Sequence, residues 1–238
     1  MIRSLEEKKF RQKEGLFVVE GEKMLLELAQ SGWEWAQVYL TSSFLDKHPH
    51  AFSTYELVTE DDLKKISFLK TSTSGLALVK LPNSKQFQPQ PNGFYLVLDG
   101  IRDPGNLGTI LRTLDWFGFR EVICSLDTVD FTNPKVIQSS MGSIFRVALN
   151  YADLKEVLEQ NSGILPIIGT AMEGENAFHS DLKSGLLIIG NEAEGIRLET
   201  KKWIDKWISI PQAGNKVESL NASIATAILC AERFRRLE

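Results

Sequence analysis

From residue 93 onward the chain repeats one phrase, a short unbroken apolar run followed by a stretch with helical spacing. The runs lie at 94–98, 121–124, 144–149, 165–168, 186–189 and 207–210. Strands buried on both faces read as continuous apolar runs, and parallel strands need a helix-length connection between them. The segment therefore predicts an α/β fold with a mainly parallel sheet covered on both faces. Helical patterns fill most of the gaps: 107–117 after a Gly-Asn turn, 134–141 with Asn133 as N-cap and Pro134 in the first position, 153–160 ending near Gly163, and a closing helix over 221–237.

Upstream, 17–19 and 37–41 read as strands, 22–30 and 61–69 as helices, and 75–81 as a further strand. That describes a small α/β domain over residues 1–81. Residues 82–92 carry three prolines and few aliphatic side chains, as a linker does, and 93–238 form the second domain. No apolar run approaches the roughly 18 residues of a membrane span, and the first residues lack a signal peptide's apolar core. A cytoplasmic protein with no membrane partner is the expectation. Cys124 and Cys230 have no metal-ligand spacing and are expected as buried free thiols. His48, His50 and His179 fall in polar, loop-like sequence and are expected to be solvated, so no metal is anticipated.

A net charge of −4 removes the usual electrostatic argument for nucleic acid, since phosphate binding normally draws on an excess of Lys and Arg. Contact with RNA would have to use local patches. The best is Lys8, Lys9, Arg11 and Lys13, although interleaved glutamates make a solvated helix face an equal reading.

Open parallel sheets bind ligands beyond the carboxyl ends of their strands. Three runs end in polar residues there: 99–112, 186–196 and 210–223. Neither familiar phosphate cradle fits them. The glycines of Asp99-Gly-Ile-Arg-Asp-Pro-Gly-Asn-Leu-Gly108 miss the dinucleotide spacing, and Gly190 to Gly195 lacks the Lys and Ser/Thr of a P-loop. Asp99 and Asp103 have no His or Cys near them in sequence that would complete a metal site or a triad.

The three blocks together resemble the SpoU/TrmH-type RNA 2′-O-ribose methyltransferases of the SPOUT superfamily. The motifs are Asn106-Leu-Gly-Thr-Ile-Leu-Arg112 after Asp103-Pro104, Gly190-Asn-Glu-Ala-Glu-Gly195, and Ile210-Pro-Gln-Ala-Gly-Asn-Lys-Val-Glu-Ser-Leu-Asn-Ala-Ser223. They stand in order over about 120 residues. Gln212 takes a place where the family commonly has Met, and Ala222 one where it has Val; neither change removes a polar group.

The resemblance implies a C-terminal trefoil knot, which general topology rules would never suggest, a homodimer through the C-terminal domain, and an N-terminal domain similar to a small RNA-binding one. It implies S-adenosyl-methionine as cofactor, held by Thr170, Ala171, Met172, Gly190, Asn191, Glu192, Ile210, Ser219, Leu220 and Ala222. It carries Arg112, Asn106, Glu192, Ser219 and Asn221 over as catalytic residues acting on a ribose 2′-hydroxyl in rRNA or tRNA. Read without the resemblance, Asn106 is a turn residue, Ser219 and Asn221 are helix caps, and Ile224, Ala227, Ile228 and Ala231 are an apolar helix face suited to core or dimer. Two other functions stay open on the sequence: an RNA-binding module without catalysis, and a nucleotide-dependent oxidoreductase, the latter disfavoured by its missing glycine fingerprint. Which RNA and which nucleotide the sequence leaves open.

Overall fold

The computed structural model describes all residues except 72, 83–86, 192, 215–217 and 238. The described chain divides into two compact units, Met1–Asn83 with Asp130–Arg146, and Ser84–Val129 with Val147–Glu238. Much of the expected linker lies outside the described residues.

The first unit contains α1 (Lys8–Glu14), β1 (Leu16–Glu20), α2 (Glu22–Ser31), β2 (Trp35–Leu40), α3 (Ser42–Lys47), β3 (Glu56–Leu57), α4 (Glu60–Ile66) and β4 (Gly75–Lys80). Its sheet runs β1-β4-β2-β3, antiparallel except for the β2/β3 pair. Leu5, Val18, Leu63, Leu76 and Leu78 form one buried cluster in it. Thr41 and Thr59 cap α3 and α4 by accepting backbone N–H bonds, which sets where those helices start.

The second unit holds β5 (Phe94–Asp99), α5 (Pro104–Trp116) and β6 (Glu121–Ser125). The chain then contributes α6 (Pro134–Ser140) to the first unit and returns with β7 (Ala148–Ala152), α7 (Leu154–Asn161), β8 (Ile167–Asn176), β9 (Gly185–Gly190), α8 (Leu198–Lys201), β10 (Lys206–Ser209) and α9 (Ala222–Arg235). The six strands are ordered β10-β8-β9-β5-β6-β7, every neighbouring pair parallel. All of β5 is buried, as a central parallel strand must be. Tyr95, Val97, Ile123, Leu158, Ile167, Leu186 and Ile188 belong to one core cluster on this sheet. Strand order reverses at β5, which places a topological switch point at its carboxyl end.

Three expectations are corrected. Residues 144–149 are not one strand: Ser143–Phe145 form a 3-10 turn and β7 begins only at Ala148. The helix expected over 107–117 starts earlier, at Pro104, because Asp103 caps it by accepting the Asn106 N–H. His48 is half-buried, with Nε2 3.0 Å from Glu22 Oε1 and its ring against Phe44. Cys124 and Cys230 are both buried and free, and burial pushes the Cys230 thiol up to about 12. Among the described residues no helix is long and apolar enough to cross a membrane.

Candidate active site

The carboxyl ends of the central strands form one ledge. Strand pairing sets Leu98 beside Ile189 and Asp99 beside Gly190, so the first two motif blocks begin at the same height. Next to them, the Thr170 hydroxyl on β8 donates to the Ile188 carbonyl at 2.9 Å. Above this ledge lies a cavity of about 930 Å³ lined by Thr170, Ala171, Met172, Gly190, Asn191, Ile210, Ser219, Leu220 and Ala222 together with apolar groups such as Ile189, Ile196 and Leu229. Every residue that the resemblance gave to the cofactor lines it, apart from Glu192, which lies outside the described residues.

Beyond β9 the chain closes on itself. Asn191 and Gly195 exchange backbone hydrogen bonds of 3.2 and 3.0 Å, and the Asn191 Oδ1 accepts the N–H groups of Ala193 and Glu194 at 2.9 and 2.8 Å. Gly195 sits at φ +66, a conformation glycine adopts without steric cost. At Gly190 a Cβ would lie 2.2 Å from the Gly195 carbonyl carbon, so only glycine fits. The Asn191 Nδ2 is buried with no partner among the described residues.

Blocks one and three meet directly. Asn221 caps α9, its Oδ1 accepting the Ser223 N–H at 2.9 Å and the Ser223 hydroxyl at 2.6 Å, while its Nδ2 donates to Asn106 Oδ1 at 3.0 Å. The capping role and the site role thus belong to one side chain, flanked by Leu220 and Ala222 in the cavity wall.

Arg112 does not join them. It is exposed on α5 and has no hydrogen bond or ion pair among the described residues. Six residues at about 100° each place it roughly 120° around the helix from Asn106, and it is absent from the cavity lining. A single chain therefore joins Asn106 to Asn221 and puts Ser219 in the cavity wall, but leaves Arg112 facing away from Asn106.

The basic segment needs a correction too. Lys8, Lys9 and Lys13 are exposed, Lys9 pairing with Glu7 at 2.9 Å. Arg11, however, is 3% exposed, with its guanidinium donating to Thr132 (2.8 Å), Asp130 (2.7 Å) and the carbonyls of Leu5 and Glu6. Its donors are committed inside the first unit, so it cannot serve as an RNA contact.

Sequence reading missed the partner of Asp99. That carboxylate is fully buried, and it accepts from the Arg197 backbone N–H at 3.0 Å and from Arg197 Nε at 2.5 Å. Arg197 Nη1 also reaches Asp127 at 3.2 Å. Burial opposes the Arg197 charge, but Asp99, Asp127 and Glu199 outweigh it and raise its pKa. Burial likewise pushes the Asp127 carboxyl up, yet the bond from Ser125 and the charge of Arg197 leave it lowered overall. The one available signal was an aspartate ending an apolar run, since a buried carboxylate requires a cation.

Comparison with known proteins agrees with this geometry. The model of the SpoU rRNA Methylase family matches residues 93–231, and that of the MRM3-like substrate binding domain matches residues 1–77. The chain is 27% identical over 233 residues to the 23S rRNA (guanosine(2553)-2′-O)-methyltransferase RlmP of Bacillus subtilis (strain 168), covering 95% of this chain and 92% of that one. It is 36% identical over 149 residues to the 23S rRNA (guanosine-2′-O-)-methyltransferase RlmB of Escherichia coli (strain K12), covering 60% of each. Among solved structures, a TrmH-family protein of Porphyromonas gingivalis superposes with a TM-score of 0.87 at 36% identity, over 99% of this chain and 96% of that one. An AdoMet-bound rRNA methyltransferase from Sinorhizobium meliloti gives 0.86 at 28% identity, over 100% and 94%.

Proposed function

Since the chain belongs to the SpoU rRNA methylase family and is an S-adenosyl-methionine-dependent rRNA 2′-O-ribose methyltransferase, we propose that its target is a guanosine of 23S rRNA. The names of RlmP and RlmB, said of those proteins, support that choice, RlmP aligning over nearly the whole chain. Neither the silent RNA-binding module nor the oxidoreductase is retained. A ribosomal RNA substrate also supports a cytoplasmic location.

The observation that carries the site assignment is the Asn221–Asn106 bond, made by a side chain whose chain neighbours Leu220 and Ala222 line the cavity. About 930 Å³ lies within the roughly 300 to 1,000 Å³ of small-molecule sites. The residues fit the cofactor: Gly190 leaves its backbone open to close approach, and the unpartnered Asn191 amide offers a buried donor. Thr170 to Met172, Gly190, Asn191, Ile210 and Ser219 to Ala222 would hold it, largely through main-chain groups. When bound, S-adenosyl-methionine supplies a methyl group on a sulfonium that departs as a neutral thioether.

The protein's part is alignment and care of the hydroxyl proton, and proximity alone can contribute about 7 to 11 kcal/mol. Asn106 and Asn221 orient the ribose. Arg112 clamps a substrate phosphate and stabilises the developing alkoxide, because a guanidinium is a poor proton acceptor at neutral pH. Glu192 would orient Arg112 or the ribose. Because Arg112 turns away from Asn106, a homodimer in which facing copies complete each other's sites accounts for both; the outward stripe of Ile224, Ala227, Ile228 and Ala231 on α9 supplies the apolar surface for it. Residues 1–81 act as the substrate-binding domain, with Lys8, Lys9 and Lys13 toward RNA, 82–92 as linker and 93–238 as the methyltransferase domain. The C-terminal segment passes as a trefoil knot, a reading supported by the family and by the close backbone approach at Gly190.

The test is methyl incorporation from labelled S-adenosyl-methionine into unmodified 23S rRNA, with mapping of the product nucleotide. Incorporation confined to tRNA, or to the ribose of a nucleoside other than guanosine, overturns the target. In single turnover, Arg112→Lys is expected to retain a measurable fraction of the rate and Arg112→Ala to lose at least a hundredfold, both keeping the parent's pH profile. A rise of rate with pH that is present in the parent and lost in both variants would instead make Arg112 the base.

A further inference from the structure

We infer that Arg197 is a positioning residue for the transfer, holding the 190–196 loop in shape against the cavity by returning its far end to Asp99. The inference rests on the cavity reading above.

Both ends of the loop are fixed to one residue. At its start, strand pairing sets Gly190 beside Asp99; at its finish, the Asp99 carboxylate takes the backbone N–H of Arg197 on Oδ2 and Nε on Oδ1. A second guanidinium nitrogen of Arg197 pairs with the same Oδ1. Between these anchors the turn is closed by the Asn191–Gly195 backbone pair and by the Asn191 side chain. Gly190, Asn191, Ala193, Glu194, Gly195 and Ile196 all line the cavity. The described residues of the loop are thus pinned at both ends, and we take their placement to be set by whether Asp99 and Arg197 stay joined.

Geometry selects arginine for this task. Asp99 is fully buried, so its charge must be met; the guanidinium sets two nitrogens on Oδ1 while the Arg197 backbone N–H takes Oδ2, whereas an ammonium would offer Oδ1 a single point. Nη1 of Arg197 then extends to Asp127, which Arg102 approaches at 3.9 Å. Asp127 follows β6, so the loop after β9 is tied to the ends of two further strands, β5 and β6. Asp99 also precedes the Asp103 cap that starts α5 and presents Asn106. One ion pair therefore connects the cavity loop to the element carrying the ribose-facing asparagine.

The experiment compares Arg197→Met, Arg197→Lys and Gly190→Ala with the parent in the full-length chain. The measurements are calorimetric Kd for S-adenosyl-methionine, amide exchange over 190–196, melting temperature, and the separate KM values for cofactor and RNA. Arg197→Met is expected to weaken cofactor binding at least tenfold and to speed exchange in the loop, with KM for RNA within twofold of the parent. Arg197→Lys should recover part of the affinity, and it decides the matter if the Met variant fails to fold. A Lys or Met variant with parental Kd and loop exchange, differing only in melting temperature, overturns the inference by making the pair structural alone. If Gly190→Ala loses cofactor while the Arg197 variants do not, the cavity reading survives and this one falls; if all three bind as the parent does, the cavity reading itself has failed.

Discussion

Gly190 shows how much one absent methyl group decides. A Cβ there would stand 2.2 Å from a carbonyl carbon and 2.4 Å from a backbone nitrogen, neither of which can rotate aside. Gly190→Ala is expected to cost about 1 to 3 kcal/mol of stability by overpacking and to lower affinity for S-adenosyl-methionine more than tenfold, read by denaturant unfolding and calorimetry. Parental affinity would show that the cavity wall is not formed by this crossing. At this scale the sequence was legible where chemistry is local: Asn133 and Asn221 read as caps and are caps. It was not legible where partners are remote. Arg11 reads as one cation of a basic run, yet its acceptor Asp130 lies 119 positions away, and Asp99 meets Arg197 across 98. No window along the chain contains either pair. The direction in which Arg112 points was equally hidden, because motif spacing gives order along a helix and not the face that neighbours occupy.

Helix α9 carries its instructions at both ends. At the start Asn221 caps it and reaches Asn106; at the end Glu232 binds Arg235 (Nε at 3.0 Å) and Arg236 (Nε at 2.6 Å) and holds the last turn. Bonds from Arg235 and then Arg236 bring the Glu232 carboxyl to about 2, against an ordinary 4.5. A carboxyl pKa depressed by folding stabilises the native state fully above the unfolded value and ceases to as pH falls through the folded one. Glu232→Gln should therefore melt below the parent at pH 7, with the gap closing between pH 4.5 and 2; a gap unchanged at pH 2 would remove the ion pairs as its cause. The first turn of α9 directs Ile224 outward at 50% exposure. Ile224→Glu is expected to convert the proposed dimer into a monomer by light scattering, with cofactor Kd preserved, and an unchanged mass would take this face out of any dimer contact. Element types were readable because buried parallel strands and capped helices leave strong local patterns. Boundaries failed where polarity and structure part: β8 continues through exposed Glu173 to Asn176, which no apolar run announces, while apolar Ile144 and Phe145 sit in a turn.

For the molecule as a whole the governing fact is a net charge of −4 in a chain that acts on RNA. The family match made rRNA the substrate, but charge composition argued the other way, because a sum over the chain conceals where each charge is used. Arg11 is spent on Asp130, Arg197 on Asp99 and Asp127, and Arg235 and Arg236 on Glu232. Such cations release no counterions when RNA binds. The cations proposed to meet phosphate are Lys8, Lys9, Lys13 and Arg112, all exposed, and each phosphate neutralised on single-stranded RNA contributes about −0.7 to the slope of log K against log salt. Four contacts give a slope of about −3, shallow for an RNA-binding enzyme. Binding measured between low and moderate salt should reproduce that value, and Lys8→Gln or Lys13→Gln should each make it shallower by roughly 0.7 while leaving cofactor affinity alone. Arg11→Gln, by contrast, should lower stability without altering the slope, since its charge never faces solvent. A slope near zero would remove all four from the RNA interface; one much steeper than about −3 would bring further exposed cations such as Lys23, Lys155 or Lys202 into it.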